Sequence, residues 1–379
     1  MTALTCRLCH APLRGAPFLT LERMPASAQG FPHKNELHAE KSVQLEVFSC
    51  TGCGLVQAQC EPVPYWREVI RANAFSPAMK AFRETFFADF VRENDLTGKS
   101  LVEVGCGRGE CLDLFKAAGM QTFGTEYSTD NAAHARMSGH HIETCFPDNP
   151  AARLAGGPFD AFASFNFLEH WPDPRAVLET IHANTSEDAV GLIEVPNCDM
   201  ILSRALFSEF IGDHLSYFTK QTLTSLLNIS GFEVISCQSL WNDYILSAKV
   251  KKHKAIEGVP FLALRKRLAG KFESFFSACG ARRICAWGAG HQALAVISLL
   301  KLERKIEFIL DSAPFKQGLY TPATHLPIHA PNFLHDAGAG AVIIMAAGYS
   351  DEILKILKRD FNPDLKIAIL RETELEILP

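Results

Sequence analysis

Ser100-Leu101-Val102-Glu103-Val104-Gly105-Cys106-Gly107-Arg108-Gly109-Glu110 decides how the rest of the chain is read. Its apolar start predicts a strand, its three glycines a turn, and the spacing of Leu112 and Phe115 a following helix. Short apolar runs recur at Gln121–Thr125, His141–Glu143, Phe159–Phe165 and Val190–Val195. Strands alternating with helices predict an α/β fold, a parallel sheet with helices on both faces. Upstream, Phe75, Met79, Phe82, Phe86, Phe87, Phe90 and Val91 recur mostly three and four apart, which predicts helix between Tyr65 and Glu93. Downstream, Val250-Lys251-Lys252-His253-Lys254 reads as a solvated linker. A helix at Phe261–Phe276 and a second strand–glycine–helix unit at Arg283–Leu294 follow, then apolar runs at Ile306–Asp311, Ala341–Ala346 and Lys366–Leu370.

The first glycine turn carries chemistry. Glycines let the backbone pass close to a ligand, and the amides at a helix start point toward it. Glu103, two residues before Gly105, disfavours a pyrophosphate and favours a ligand with an ammonium group. S-adenosylmethionine has both an amino group and a sulfonium. Glu126 ends the second strand, where a carboxylate accepts the ribose hydroxyls of an adenosine. Glu103, Gly105, Gly107, Gly109, Glu126 and Asn166 are the candidate donor contacts, and the acid–glycine pattern resembles motif I of class I S-adenosylmethionine-dependent methyltransferases. A dinucleotide site and an empty structural turn are the alternatives.

Two further segments hold groups able to move protons. Asn166 and His170 follow the fourth strand, and the carboxyl ends of parallel strands open onto the ligand crevice. Asp213-His214 lies in a polar break between hydrophobic segments. A histidine near pKa 6.5 accepts a proton at neutral pH, and an adjacent carboxylate orients it. The plainer readings are a packed or capping His170 and a surface His214 beside a capping Asp213.

Twelve cysteines occur in 379 residues. No secretory leader pattern is seen at the N-terminus, so the chain is expected to be cytoplasmic with reduced thiols. Cys6-x-x-Cys9 and Cys50-x-x-Cys53 form two knuckles able to supply four sulfurs to a structural zinc, with a redox dithiol pair as the alternative. A site of four cysteines has no open position for substrate. The remaining cysteines read as small core residues.

Charge excludes other classes. Lys and Arg total 37 against 42 Asp and Glu, a net −5, and no basic stripe flanks the knuckles, so no nucleic-acid partner is expected. No apolar stretch is long enough to span a membrane.

Together the two knuckles, the Val102–Gly109 segment, Asp213-His214-Leu215-Ser216-Tyr217-Phe218, and the tail with Asp311, Lys316-Gln317-Gly318 and Thr324–Ile328 resemble the sugar C-methyltransferases of deoxysugar biosynthesis. The resemblance implies a zinc-binding module at residues 1–64, a Rossmann-like class I methyltransferase domain at 65–250 and a smaller Rossmann-like α/β domain at 251–379. It implies a small-molecule substrate, a nucleotide sugar with a 4-ketone, bound between the two α/β domains. His214 matches the family's base in a Tyr-x-Glu-His segment, where this chain has Ile211 and Asp213 at the Tyr and Glu positions. Asn166 and His170 match its Asn-x-x-x-His pattern beside the sugar. Tyr217, Gly288, Gly290, His291 and Lys316 become candidate substrate contacts. Gly288-Ala289-Gly290 followed by Asp311 also satisfies a loose dinucleotide pattern. Competing readings are methylation of another small metabolite at oxygen or carbon, a zinc-bearing RNA methyltransferase, a donor-binding scaffold without chemistry, and an NAD-linked oxidoreductase.

Overall fold

The computed structural model describes residues 4–68 and 76–379. The chain divides into two compact units, Met1–Lys254 and Ala255–Pro379.

In the first unit Leu19–Met24 (β1), Val43–Ser49 (β2) and Val56–Ala58 (β3) form an antiparallel meander. β2 follows the predicted alternation through Leu45 and Val47, buried on either side of Glu46, and departs from it at Phe48, which is buried as well. β1 alternates through Leu19-Thr20-Leu21-Glu22 until its register shifts between Leu21 and Met24, and it pairs on the edge of β2, Leu19 opposite Val47.

Eight further strands follow: Ser100–Val104 (β4), Gln121–Thr125 (β5), His141–Glu143 (β6), Phe159–Phe165 (β7), Thr185–Pro196 (β8), Ser216–Tyr217 (β9), Phe232–Leu240 (β10) and Ile245–Lys252 (β11). Seven of them make one sheet in the order β10-β11-β8-β7-β4-β5-β6. β4 to β8 run parallel, and β11 runs antiparallel to both neighbours. The five strands expected from sequence are all present. The segment Val250–Lys252, read as linker, is instead the end of β11, with Val250 opposite Gly191 and Lys251 opposite Val190. The β8 edge needs a hydrogen-bonding partner, and Lys252 keeps its charge satisfied by donating from Nζ to the carbonyls of His182 and Thr185.

The chain leaves β4 toward β5 on one side and later returns to β7 on the other. This switch point opens a crevice at the carboxyl ends of β4 and β7, beside the glycine turn. The helix Pro77–Glu93 starts on a Ser76 cap, whose hydroxyl accepts the Met79 N–H. It packs Phe87 in a stack with Phe115 and Phe165, ring centroids 4.3 and 5.1 Å away. Arg83 of the same helix is buried against Glu194 of β8, 2.5 Å apart, and ties the helix to the sheet. Phe75, which sequence assigns to this helix, lies outside the described residues.

The second unit holds Arg283–Trp287 (β12), Phe308–Leu310 (β13), Ile328–His329 (β14), Ala339–Ile344 (β15), Lys366–Leu370 (β16) and Leu375–Ile377 (β17). Their order is β14-β13-β12-β15-β16-β17, parallel except for β17. β12 is its switch point. Phe272, Phe275, Ile297 and Ile343 sit in its core. Among the described residues, no helix is long and apolar enough to cross a membrane.

Candidate active site

The glycine turn is shaped by what packs on it. Gly105 has φ +70°, and a Cβ there would lie 2.3 Å from the Phe167 ring. Only glycine lets Phe167 cover the turn at this distance. Glu126 is buried at the end of β5, where its carboxylate accepts the N–H groups of Gly107 (2.8 Å) and Ser128 (2.9 Å). That pair of bonds fixes the turn to the neighbouring strand. Glu103 is buried within β4, directly before the turn. Gly109, at φ +93°, opens the helix Glu110–Ala117. Asn166 follows β7 in the left-handed region at φ +47°, a conformation asparagine tolerates, and donates its N–H to the Glu194 carbonyl. A glycine cradle beside an acid at the next strand end suits the amino acid and ribose parts of S-adenosylmethionine.

One short turn beyond Phe167 stands His170. Its Nδ1–H donates to the Asp213 main-chain carbonyl at 2.7 Å. A carbonyl only accepts, so the proton is on Nδ1 and the lone pair is on Nε2. The His170 and His214 rings meet edge to face, 4.7 Å between centroids. Burial lowers the pKa of His214 to about 3, with a smaller contribution from His170. Burial lowers that of His170 to about 4, opposed by its bond to Asp213. Both imidazoles are therefore neutral at physiological pH and carry an available lone pair.

Asp213 acts differently from the sequence expectation. Its carboxylate accepts the Ala28 N–H (2.8 Å) and the Tyr65 hydroxyl (2.7 Å), while only its main-chain carbonyl touches the histidine pair. Tyr65, absent from the sequence-derived candidates, in turn accepts the Gln29 N–H at 3.0 Å. Nothing near Tyr65 in the sequence marks it, because its partner is remote in the chain. Tyr217 was expected against substrate. Its buried hydroxyl instead accepts the Ile211 N–H (2.7 Å) and donates to the Ile211 carbonyl (2.8 Å), closing the loop that presents His214.

The N-terminal segment supplies a wall of this site. β9 pairs with β3, Val56 opposite Tyr217, and not with the central sheet. Ala58 donates its N–H to the Leu215 carbonyl, and the Cys60 thiol donates to the Gly212 carbonyl. Behind β3 the four knuckle cysteines converge. Cys6 and Cys53 Sγ are 3.5 Å apart, Cys9 and Cys50 Sγ are 3.6 Å apart, and all four lie within 4.8 Å of one another. A zinc tetrahedron with ~2.3 Å bonds has edges of about 3.8 Å, so the cluster fits that ion. The N–H groups of Leu8 and Gly52 point at the sulfurs of Cys6 and Cys50. Burial pushes the Cys6 and Cys53 thiols up, whereas at Cys50 the N–H groups of Cys53 and Gly52, with the neighbouring cysteines, outweigh burial and lower the thiol.

In the second unit, a cavity of about 550 Å³ opens at the carboxyl ends of β12, β13 and β15, lined by Gly288, Gly290, His291 and Lys316 among others. Gly288 has φ +115°, and a Cβ there would meet the Met345 carbonyl oxygen at 2.5 Å. Asp311 accepts the N–H groups of Ala289 (2.8 Å) and Ala313 (2.9 Å) and pairs with Lys316 (2.9 Å). Asp311 thus ties its turn down as Glu126 does in the first unit, and differs in having the Lys316 cation beside it.

Comparison with known proteins agrees with this architecture. Residues 77–237 match the family model described as a methyltransferase domain, and residues 272–367 match the one described as the C-methyltransferase C-terminal domain. The C-methyltransferase NovU of Streptomyces niveus is 23% identical over 291 residues, covering 68% of each chain. A ubiquinone biosynthesis O-methyltransferase of Psychrobacter arcticus is 31% identical over 94 residues, and the match spans 23% of this chain and 37% of that protein. A crystal structure of an S-adenosylmethionine-dependent methyltransferase from Clostridium acetobutylicum aligns with a TM-score of 0.40 at 12% identity, over 50% of this chain and 96% of that one. With a methyltransferase domain in its first unit and a C-methyltransferase C-terminal domain in its second, the chain is an S-adenosylmethionine-dependent methyltransferase.

Proposed function

We propose that the protein methylates carbon in a nucleotide-activated keto-deoxysugar, with His214 as general base. The observation that carries this reading is the edge-to-face contact of buried His170 with half-buried His214, one turn from the phenylalanine that covers the glycine turn. A neutral imidazole has a lone pair able to take the proton beside a ketone. Supporting it are the C-methyltransferase C-terminal domain and the likeness to NovU.

S-adenosylmethionine, when bound, supplies an electrophilic methyl group. Glu103, Gly105, Gly107, Gly109, Glu126 and Asn166 hold it at the ends of β4, β5 and β7. His214 takes the proton from the carbon next to the ketone, and the C–H electron pair passes into the enolate. His170, anchored through Nδ1–H, keeps the His214 ring in place and presents Nε2 to the substrate. Asp213 and Tyr65 hold the loop. In the second unit Gly288, Gly290, His291 and Lys316 line a cavity of that unit's own, whose glycine turn and cation suit a phosphate-bearing small molecule. Cys6, Cys9, Cys50 and Cys53 hold a structural zinc with no position open to substrate.

His214→Ala is expected to lower turnover by about 10²–10⁴-fold, the span general-base catalysis contributes, with binding of S-adenosylmethionine kept. Retained turnover in that variant removes His214 from the chemistry. Carbon-13 NMR of the product made with labelled methyl donor separates C- from O-methylation, and an O-methyl signal overturns the substrate reading.

A further inference from the structure

We propose that Glu169, His170 and His214 form a second metal site, separate from the four cysteines, for a borderline divalent transition cation of the zinc, cobalt or nickel class. One donor atom from each residue lies within 4.8 Å of the other two. His170 Nε2 is 3.8 Å from Glu169 Oε1. Two donors closer than about 4.2 Å, twice a metal–ligand bond, can share one ion. His214, less buried than the other two, is the ligand whose ring turns to close the remaining distance.

The surroundings favour ligation. Nδ1–H of His170 is fixed on the Asp213 carbonyl, the arrangement by which an outer partner aims the other ring nitrogen at a metal. The Glu169 carbonyl accepts the Leu215 N–H at 2.9 Å, which clamps Glu169 to the segment carrying His214. Glu169 and His170 are 2% and 4% exposed, so their rotamers are held by packing. Two imidazoles and one carboxylate select zinc, cobalt or nickel over magnesium or calcium, which prefer all-oxygen sites. Three protein ligands leave a position open, unlike the cysteine cluster.

The site itself requires no assumption about the reaction. One consequence rests on His214 being the base: an imidazole lone pair given to a metal cannot accept a proton. Metal loading and proton abstraction then exclude each other, and the ion acts as a brake on turnover.

The test is a Co²⁺ titration of the full-length chain with zinc retained on its cysteines. Wild type is expected to take up one further equivalent, with weak visible d–d bands and no thiolate charge-transfer band. His170→Ala and His214→Ala each lose a direct ligand, so their affinity falls by more than the roughly 10–100-fold that loss of an outer partner costs. Unchanged zinc content and S-adenosylmethionine binding show that each variant is folded, and Glu169→Gln gives a shape-conserving third check. No extra equivalent in wild type, or full uptake by the His170→Ala/His214→Ala double variant, overturns the site. Deuterium exchange from the substrate carbon, followed with and without Co²⁺, addresses the consequence separately. Exchange that persists in loaded enzyme overturns the brake and the base assignment while the spectroscopic site stands.

Discussion

At the scale of single residues, the site depends on which atom of a side chain or backbone does the contact. Asp213 shows this. Its carboxylate faces Ala28 and Tyr65, and its carbonyl sets the tautomer of His170. Tyr65 is therefore a positioning residue, reaching the histidines only through Asp213. Tyr65→Phe removes one hydrogen bond to a charged group, about 1.5–3 kcal/mol, and is expected to lower kcat by roughly 10–100-fold. The dissociation constant for S-adenosylmethionine should stay at the wild-type value, because the glycine turn is held by Glu126 and Phe167 instead. Isothermal titration beside steady-state kinetics checks the split. His170 was legible as a candidate from its place after the fourth strand, and His214 from its polar break between hydrophobic segments. Their edge-to-face contact was not, because it joins positions far apart in the chain. Glu169 stands next to His170 in sequence, yet only its convergence with His214 suggests ligation.

At the scale of elements, the N-terminal meander is more than an appended module. The knuckles hold β2 and β3 together, β3 pairs with β9, and β9 follows directly on the loop that carries His214. Two hydrogen bonds, from Ala58 to Leu215 and from Cys60 to Gly212, extend that hold. Loss of the metal is thus expected to misplace His214 before it disturbs the donor cradle. Cys50→Ser, or removal of zinc by a chelator, should cut turnover by about 100-fold, as a displacement near 1 Å can. Donor affinity should change far less, and tryptophan-fluorescence titration of S-adenosylmethionine measures it. Equal loss of both would show that the cysteine cluster holds the whole first unit together. The CxxC spacing was readable locally, whereas the pairing of β3 with a two-residue strand was not, since Ser216–Tyr217 carries no strand pattern.

At the scale of the whole molecule, two units each have their own core and their own switch point. Asp311 is the buried charge at the second of these. Burial alone would raise its pKa, but the N–H of Ala313, the Lys316 ammonium and the N–H of Ala289 outweigh it and lower the value below the usual carboxylate range. An aspartate with a lowered folded-state pKa binds fewer protons folded than unfolded. Its contribution is present above the unfolded pKa, near 3.9, and is lost as pH falls through the folded one. Asp311→Asn is expected to cost the full-length chain about 1–3 kcal/mol at pH 7, by loss of charge-assisted bonds. The difference from wild type should vanish as pH falls below the carboxylate range. Thermal unfolding from pH 7 to pH 2 checks this, and a constant difference would assign the effect to packing. Lys251 and Lys252 belong to this scale too: their charge suggests solvent, but pairing of Lys251 with Val190 of β8 and of Lys252 with Phe232 of β10 makes them strand.

The sequence by itself determined the α/β class, the order of the parallel strands along the chain, the glycine turn with its two acids, and the two cysteine knuckles. These follow from local rules: periodicity, the freedom of glycine, and the reach of a CxxC turn. Tertiary structure alone decided that the knuckles buttress the loop that carries His214, that the Asp213 carboxylate turns toward Tyr65, and that Glu169, His170 and His214 come within reach of one another. Those outcomes depend on which distant backbone edges and polar groups find each other when water is removed.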